Sequence, residues 1–322
     1  MNTYIILKKN INLYNLKAHS ILNKYFLLNY NIINLDECET IEFIINNNTN
    51  IKIILYFDNQ IDNYHINVMN FIKNNIIKPS IYIIVFDWWK INFPGHDAQN
   101  YVISNIFKAI NYKVITFAYN IEQLNDFYNI DFSQYKDNII HINLWSAYDL
   151  AFIEFNNNPI EKVLISGQIY EIHYPERSKM LLMNNIESYN YNKFDIDSQN
   201  NNYNKILNNY LCCFTSSVYI YNNTQNKMVN TNMILLKTFE ILASGSLLIM
   251  PLTEEIYIGK IGLINNENCI LLDFNNDVTE QLNNILDINN RTHINNIRYN
   301  GYLHAKNNLN TENKFNELKR YF

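Results

Sequence analysis

Short apolar runs alternate with longer amphipathic stretches along most of this chain. In the first half, Tyr4–Leu7, Ile51–Phe57, Ile81–Phe86, Lys113–Phe117 and Asn138–Ile142 have the length and character of strands. Helix-length segments lie between them, among them Asp97–Ile110 and Ile121–Tyr128. The second half repeats the alternation with Lys162–Ile165, a helix from Pro175, Leu211–Phe214, Ser246–Met250 and Cys269–Leu272, and then ends in helices. Asp277 with Glu280 three residues on is a capping box for a helix running to Leu286, and a last helix begins near Thr311. Strands and helices in alternation predict an α/β fold, with parallel sheets covered by helices. The polar turn cluster Asn156-Asn157-Asn158-Pro159 divides the two alternating regions, which predicts domains at 1–158 and 159–322.

The most informative stretch is Leu236–Pro251, LKTFEILASGSLLIMP. Leu235, Phe239 and Leu242 repeat at helical spacing, while Lys237, Glu240 and Ser244 fall on another face. Gly245 is the natural left-handed residue to end that helix. Ser246–Met250 is then a buried strand that Pro251 closes.

Length and composition narrow the function. The 322 residues suit about two domains at the usual ~150 residues each. The chain is 48% hydrophobic but only 17% charged, and it is rich in Asn, Ile and Tyr, the bias of an AT-rich genome, as in large DNA viruses or some protists and bacteria. A net charge of −5 argues against a dedicated nucleic-acid binder, which carries a basic stripe. The four cysteines (Cys38, Cys212, Cys213, Cys269) form no CxxC pair, so reduced, buried thiols are expected rather than a zinc site or disulfides. The start MNTYIILKKN is too short for a signal-peptide core, and Ile241–Leu252 falls below the ~20 apolar residues of a membrane span. A soluble, cytoplasmic protein is expected, in a host cytoplasm or a virion if the chain is viral. No GxGxxG, P-loop, GxSxG or HExxH motif is present.

Three segments in order carry a family resemblance: Val163–Met180 (VLISGQIYEIHYPERSKM), Leu236–Pro251 and Gly262–Phe274 (GLINNENCILLDF). Together they resemble the C-terminal half of GT-B glycosyltransferases of the group 1 type, particularly the branch of spore-maturation-like proteins and large-DNA-virus homologues. The resemblance covers roughly residues 162–322. It implies two Rossmann-like domains facing a cleft, with the nucleotide-sugar donor bound by the second. It implies a transferase that moves a sugar from a nucleotide-diphosphate sugar to a hydroxyl of a glycan, protein or lipid, with no cofactor and no metal. A nucleotide-sugar-binding protein without activity, or a GT-B sugar-nucleotide epimerase, would share the same donor corner.

The resemblance assigns Glu240, five residues before Gly245, to the ribose hydroxyls. The plain alternative is a surface ion pair with Lys237. Gly167 would let the backbone approach the ligand, and Arg177 would bind the diphosphate unless Glu176 simply pairs with it. Lys237 is a second candidate for phosphate or donor sugar, with a solvated lysine as the alternative, and Lys179 is a further candidate for phosphate. Asn232 stands where many relatives carry a first Glu, which leaves the donor-sugar contacts open. On the acceptor side, Asp87, Trp88 and Trp89 end a strand of the first domain, and His96 and Asp97 follow as candidates for taking the acceptor proton. Trp packing and an N-cap role for Asp97 are the alternatives there. Asp195-Ile196-Asp197 matches a metal-binding DxD only formally, because it lies in an Asn-rich stretch rather than after a strand.

Overall fold

The computed structural model describes residues 2–7, 25, 29–34, 37–47, 51–57, 70–71, 74, 80–85, 112–116, 133, 136–142, 152–189, 203–222 and 226–321. The chain forms two compact units, Met1–Leu144 with Phe315–Phe322, and Trp145–Lys314.

The first unit carries a six-stranded sheet built from β1 (Asn2–Leu7), β2 (Asn31–Asn34), β3 (Ile51–Phe57), β4 (Ser80–Val85), β5 (Tyr112–Thr116) and β6 (Ile139–His141). Its order is β2-β1-β3-β4-β5-β6 and every pairing is parallel. Adjacent residues Ile5 and Ile6, and again Ile53 and Ile54, are buried together, so both faces of the sheet are covered. Helix α1 (Cys38–Asn47) contributes Ile41 and Ile45, four residues apart on one stripe, to this core. Five of these strands match the apolar runs in the sequence to within about two residues at each end. Short β2, flanked by asparagines, and α1 carry no such signal. The proposed helices at 97–110 and 121–128 lie outside the described residues.

The second unit holds a five-stranded parallel sheet of β7 (Ile160–Ser166), β8 (Ile186–Tyr189), β9 (Tyr210–Phe214), β12 (Leu247–Pro251) and β13 (Ile270–Leu272), ordered β13-β12-β9-β7-β8. Alternate residues serve opposite faces, as the pleat requires. Leu164, Cys213, Leu248, Met250 and Leu271 pack with α3 (Tyr203–Asn208), α4 (Leu236–Ser244) and α5 (Glu255–Gly259). Val163, Ile165, Cys212, Phe214, Leu247 and Ile249 pack with α2 (Pro175–Met180), α6 (Val278–Leu286) and the first half of α7 (Arg291–Asn308). The last helix, α8, spans Thr311–Lys319. Burial pushes the Cys213 thiol up to about 12 and that of Cys212 higher still, so neither is a nucleophile at neutral pH.

Helix α4 ends as its sequence dictates. Gly245 adopts φ 76° and an added Cβ would lie 2.9 Å from the Phe155 ring, so the stop needs glycine both for its angle and for its space. Asp277 caps α6, accepting from the N–H groups of Thr279 (2.8 Å) and Glu280 (3.2 Å). Residues 152–158 run along the second unit. Tyr302 donates to the Ile153 carbonyl (3.1 Å), and Asn208 donates to the Glu154 carbonyl (3.1 Å). The Asn156–Asn158 cluster is a turn closed by the Asn158 N–H on Asn156 Oδ1 (2.9 Å). The unit boundary itself falls upstream of it, at 144/145. Between β9 and α4 the chain inserts an antiparallel hairpin, β10 (Tyr219–Asn222) with β11 (Lys227–Asn230), which the Asn-rich sequence conceals. Among the described residues no helix is long and apolar enough to cross a membrane.

Candidate functional site

In the second sheet the chain leaves β7 towards β8 on one side and later returns as β9 on the other. The carboxyl ends of β7 and β9 therefore mark the switch point where open α/β sheets bind ligands. Gly167 follows β7 there with φ 99°, and its N–H donates to the Tyr189 carbonyl (3.1 Å). A Cβ at this position would lie 3.8 Å from Arg177 Nη1 and 3.8 Å from both Cε and Nζ of Lys237. Two cations from different helices thus converge on one glycine.

Arg177 reaches this point from the first turn of α2, whose N1 residue is Pro175. Arg177 is only 2% exposed, and its guanidinium ties the two strand ends together. Nη2 donates to Thr215 Oγ1 (3.1 Å) and to the Ser216 carbonyl (3.0 Å), beyond β9, while Nη1 donates to the Gln168 carbonyl (3.3 Å), beyond β7. The Tyr174 ring lies 4.0 Å beneath it. Glu176 does not neutralise it by direct pairing, because Glu176 accepts instead from the Tyr219 hydroxyl (2.8 Å). Arg177 Nε and Ser216 Oγ are buried and have no hydrogen-bond partner among the described residues, an uncommon condition for polar atoms. Lys179, also proposed for phosphate, is exposed.

Lys237 comes from the first turn of α4. Its ammonium donates to the hydroxyl of Tyr203 and stands 4.4 Å above the same ring, while Ser166 Oγ lies 2.7 Å from that hydroxyl. Glu240 Oε2 is 3.8 Å from Lys237 Nζ, with side-chain exposures of 11% and 16%. That burial separates the pair from a solvated surface ion pair. Burial pushes the Lys237 ammonium below its ordinary pKa, and nearby Arg177 pushes the same way against the pull of Glu240. Burial likewise lowers Arg177. An anion seated between the two would oppose both effects.

Asn232 sits in the left-handed region at φ 52°, donates its N–H to Asn230 Oδ1 (2.8 Å) and its amide to the Tyr257 hydroxyl (3.2 Å). The structure thus brings Gly167, Arg177, Lys237 and Glu240 together and holds Asn232 through β11. Asp87, Trp88, Trp89, His96 and Asp97 lie beyond β4, outside the described residues, as do Asp195 and Asp197.

Sequence reasoning missed Tyr203, Ser166 and the Thr215-Ser216-Ser217 turn. The last had a signal, a run of hydroxyl residues directly after a buried strand. Tyr203 had none, being one tyrosine in an Asn- and Tyr-rich stretch whose placement depends on strand order.

No family model and no curated protein matches the sequence. Solved structures do. An alpha-glucosyltransferase in complex with UDP and a 13-mer DNA containing a central A:G mismatch is 7% identical, with a TM-score of 0.58 over 100% of this chain and 99% of that one. T4 phage BGT in complex with its UDP-glucose substrate is 13% identical, with a TM-score of 0.53 over 99% of each chain. A chain of the GtfA/B complex is 13% identical, with a TM-score of 0.51 over 88% of this chain and 59% of that one. The chain therefore spans under two thirds of the GtfA proteins it matches and nearly all of the other two. At these identities the likeness shows the fold, which is the GT-B arrangement of two Rossmann-like parallel sheets.

Proposed function

We propose that this chain is a glycosyltransferase that moves a sugar from a nucleoside-diphosphate sugar to a hydroxyl acceptor. The observation that carries the reading is the convergence of two buried cations, Arg177 and Lys237, on Gly167 at the switch point, with the buried carboxylate of Glu240 beside them. Cations at a site without a side chain in the way suit a diphosphate, and a carboxylate one turn along the same helix suits the two hydroxyls of the attached ribose. The unpartnered Arg177 Nε and Ser216 Oγ supply further donors for phosphate oxygens. Because the leaving group is a nucleoside diphosphate, its growing negative charge in the transition state would be stabilised by these same fixed donors. In this reading no divalent ion is needed to hold the donor.

The fold neighbours in complex with UDP or UDP-glucose make uracil the first base to test. The acceptor would be met by residues of the first unit, with Trp88 and Trp89 stacking on it, Asp87 beside them and His96 or Asp97 taking its proton. A glycan, protein or lipid hydroxyl is the proposed acceptor, and the overall charge of −5 disfavours a polyanion. Thermal melting against a panel of nucleotides and nucleotide sugars tests the reading, since a ligand bound only by the folded state raises apparent stability. UDP or UDP-sugar is expected to raise the melting temperature, and to do so equally in the presence of a chelator. Stabilisation by UDP that chelator abolishes and Mn²⁺ restores would contradict the metal-free reading and bring Asp195 and Asp197 forward.

A further inference from the structure

A run of polar side chains links the end of β12 to the start of α2. Asn230 fixes the direction of donation. The Asn232 N–H, a donor by constitution, lies 2.8 Å from Asn230 Oδ1, so that atom is the amide's acceptor. Asn230 stands opposite Tyr219 across the β10–β11 hairpin, and the Tyr219 hydroxyl donates its proton to Glu176 Oε1 at 2.8 Å. Ser217 Oγ lies 2.6 Å from Asn230 Oδ1, and an acceptor there requires Ser217 to donate its single hydroxyl proton. Glu254 then remains. Its Oε1 takes the Ser217 N–H at 2.7 Å and also lies 3.0 Å from Ser217 Oγ, whose proton already serves Asn230. One hydroxyl proton thus faces two acceptors, Asn230 Oδ1 and Glu254 Oε1, and a proton on Glu254 relieves that conflict.

We propose that Glu254 is a positioning residue of the donor site that works as a neutral carboxylic acid, heading the chain Glu254–Ser217–Asn230–Tyr219–Glu176. Through Asn230 the chain holds the left-handed turn at Asn232. Through Tyr219 and Glu176 it holds the first turn of α2, where Arg177 is the next residue. The surroundings agree. Glu254 is 2% exposed, and burial pushes its carboxyl up to about 7, with Glu176 adding to the rise and Arg177 and the Ser217 contacts opposing it. Tyr219 also faces it and is itself pushed up, chiefly by burial and by Glu176, so it stays neutral alongside.

The pH dependence has a definite sign. The unfolded chain releases the Glu254 proton at the ordinary carboxylate pKa of roughly 4.3, whereas the folded chain keeps it to about 7. The stabilisation tied to that proton is complete below the ordinary carboxylate range and is lost as pH rises through about 7. Ionisation would then leave Ser217 Oγ facing two acceptors with one proton, loosening both Asn232 and the α2 turn.

The test is melting of the full chain against pH, for wild type and Glu254→Gln, with and without UDP. Glutamine keeps the size of the side chain and an acceptor for the Ser217 N–H, and has no proton to lose. Between roughly pH 6 and 8.5 the wild type is expected to lose several degrees relative to the variant, and its UDP affinity to fall roughly fivefold while the variant's holds steady. Wild type and variant that run parallel over the whole range overturn the proposal, as does a variant weakened equally at every pH, which marks Glu254 as an ionised acceptor. Should Glu254→Gln not fold, the infrared carbonyl band of a protonated carboxyl decides the matter in the wild type. Its loss over the same interval supports the proposal, and its absence at about pH 6 overturns it. The proposal rests on the donor-site reading through UDP alone. If UDP binds neither protein at any pH, that reading fails, while the UDP-free melts still decide the state of Glu254.

Discussion

Arg177→Ala is expected to lower UDP affinity roughly a hundredfold and to leave uridine binding nearly unchanged. A charge-assisted hydrogen bond contributes about 1.5–3 kcal/mol, and Arg177 has its Nε unpartnered and its Nη1 close to Gly167. Removing it takes away about that much from any ligand carrying the diphosphate, or roughly ten- to a hundredfold, with the upper end favoured in a buried site. Uridine carries no phosphate and loses nothing directly. Arg177 also ties Thr215 and Ser216 to Gln168, so the alanine variant loosens the turn as well. Arg177→Lys separates the two roles, since it keeps the charge and loses the fork. It is expected to fall between wild type and Arg177→Ala for UDP in isothermal titration. Equal losses for UDP and uridine in both variants would make Arg177 a structural tie rather than a phosphate contact.

Arg298→Met is expected to produce the largest loss of stability of any single change considered, about 3–5 kcal/mol by shift of the urea midpoint. Arg298 is 1% exposed, and it joins three parts of the second unit. Its Nε and Nη2 donate to the Gly245 carbonyl at 3.2 and 2.9 Å, at the C-terminal end of α4, where a cation is favoured by the helix dipole. Nη2 also reaches the Asn156 carbonyl (3.2 Å) and Nη1 reaches Asn295 Oδ1 (2.8 Å), while the Phe155 ring lies 4.7 Å away. Methionine fills much of the volume but leaves the Gly245 and Asn156 carbonyls buried without donors, at about 1–3 kcal/mol each. Since α4 carries Lys237 and Glu240, the variant should weaken UDP only as far as it unfolds the protein. A midpoint shift equivalent to under about 1 kcal/mol would show that water replaces Arg298 at both carbonyls.

The parts of this fold legible in the sequence are those fixed by short-range pattern. In LKTFEILASGSLLIMP the apolar stripe, the glycine stop and the buried run are all local, and the structure has α4 at 236–244, Gly245 left-handed and β12 at 247–251. Asp277 as the cap of α6 was readable for the same reason. Strands β2, β8 and the β10–β11 hairpin were not, because they are four residues each and polar or bounded by asparagine, so neither length nor alternation distinguishes them from loop. The site divides along the same line. Gly167, Arg177, Lys237 and Glu240 were found through segments whose order and spacing resemble a family. Tyr203 and Ser166 join the candidate site through side chains that meet only after β7 and β9 become neighbours, and Glu254 meets Ser217 only after β12 pairs with β9; no spacing in the sequence encodes either pairing.

The central claim is that Glu240 binds the ribose of a nucleotide donor. Glu240→Gln keeps the size and helical preference of the side chain, so α4 should persist while the charge is lost. Titration of this variant with uridine and with UDP tests the claim most directly. Both ligands contain the ribose, so both are expected to weaken by about 1.5–3 kcal/mol, roughly ten- to a hundredfold, whereas Arg177→Ala weakens UDP alone. Wild-type affinity of Glu240→Gln for both ligands would mean that Glu240 serves only to pair Lys237, and the donor site would not be where the account places it.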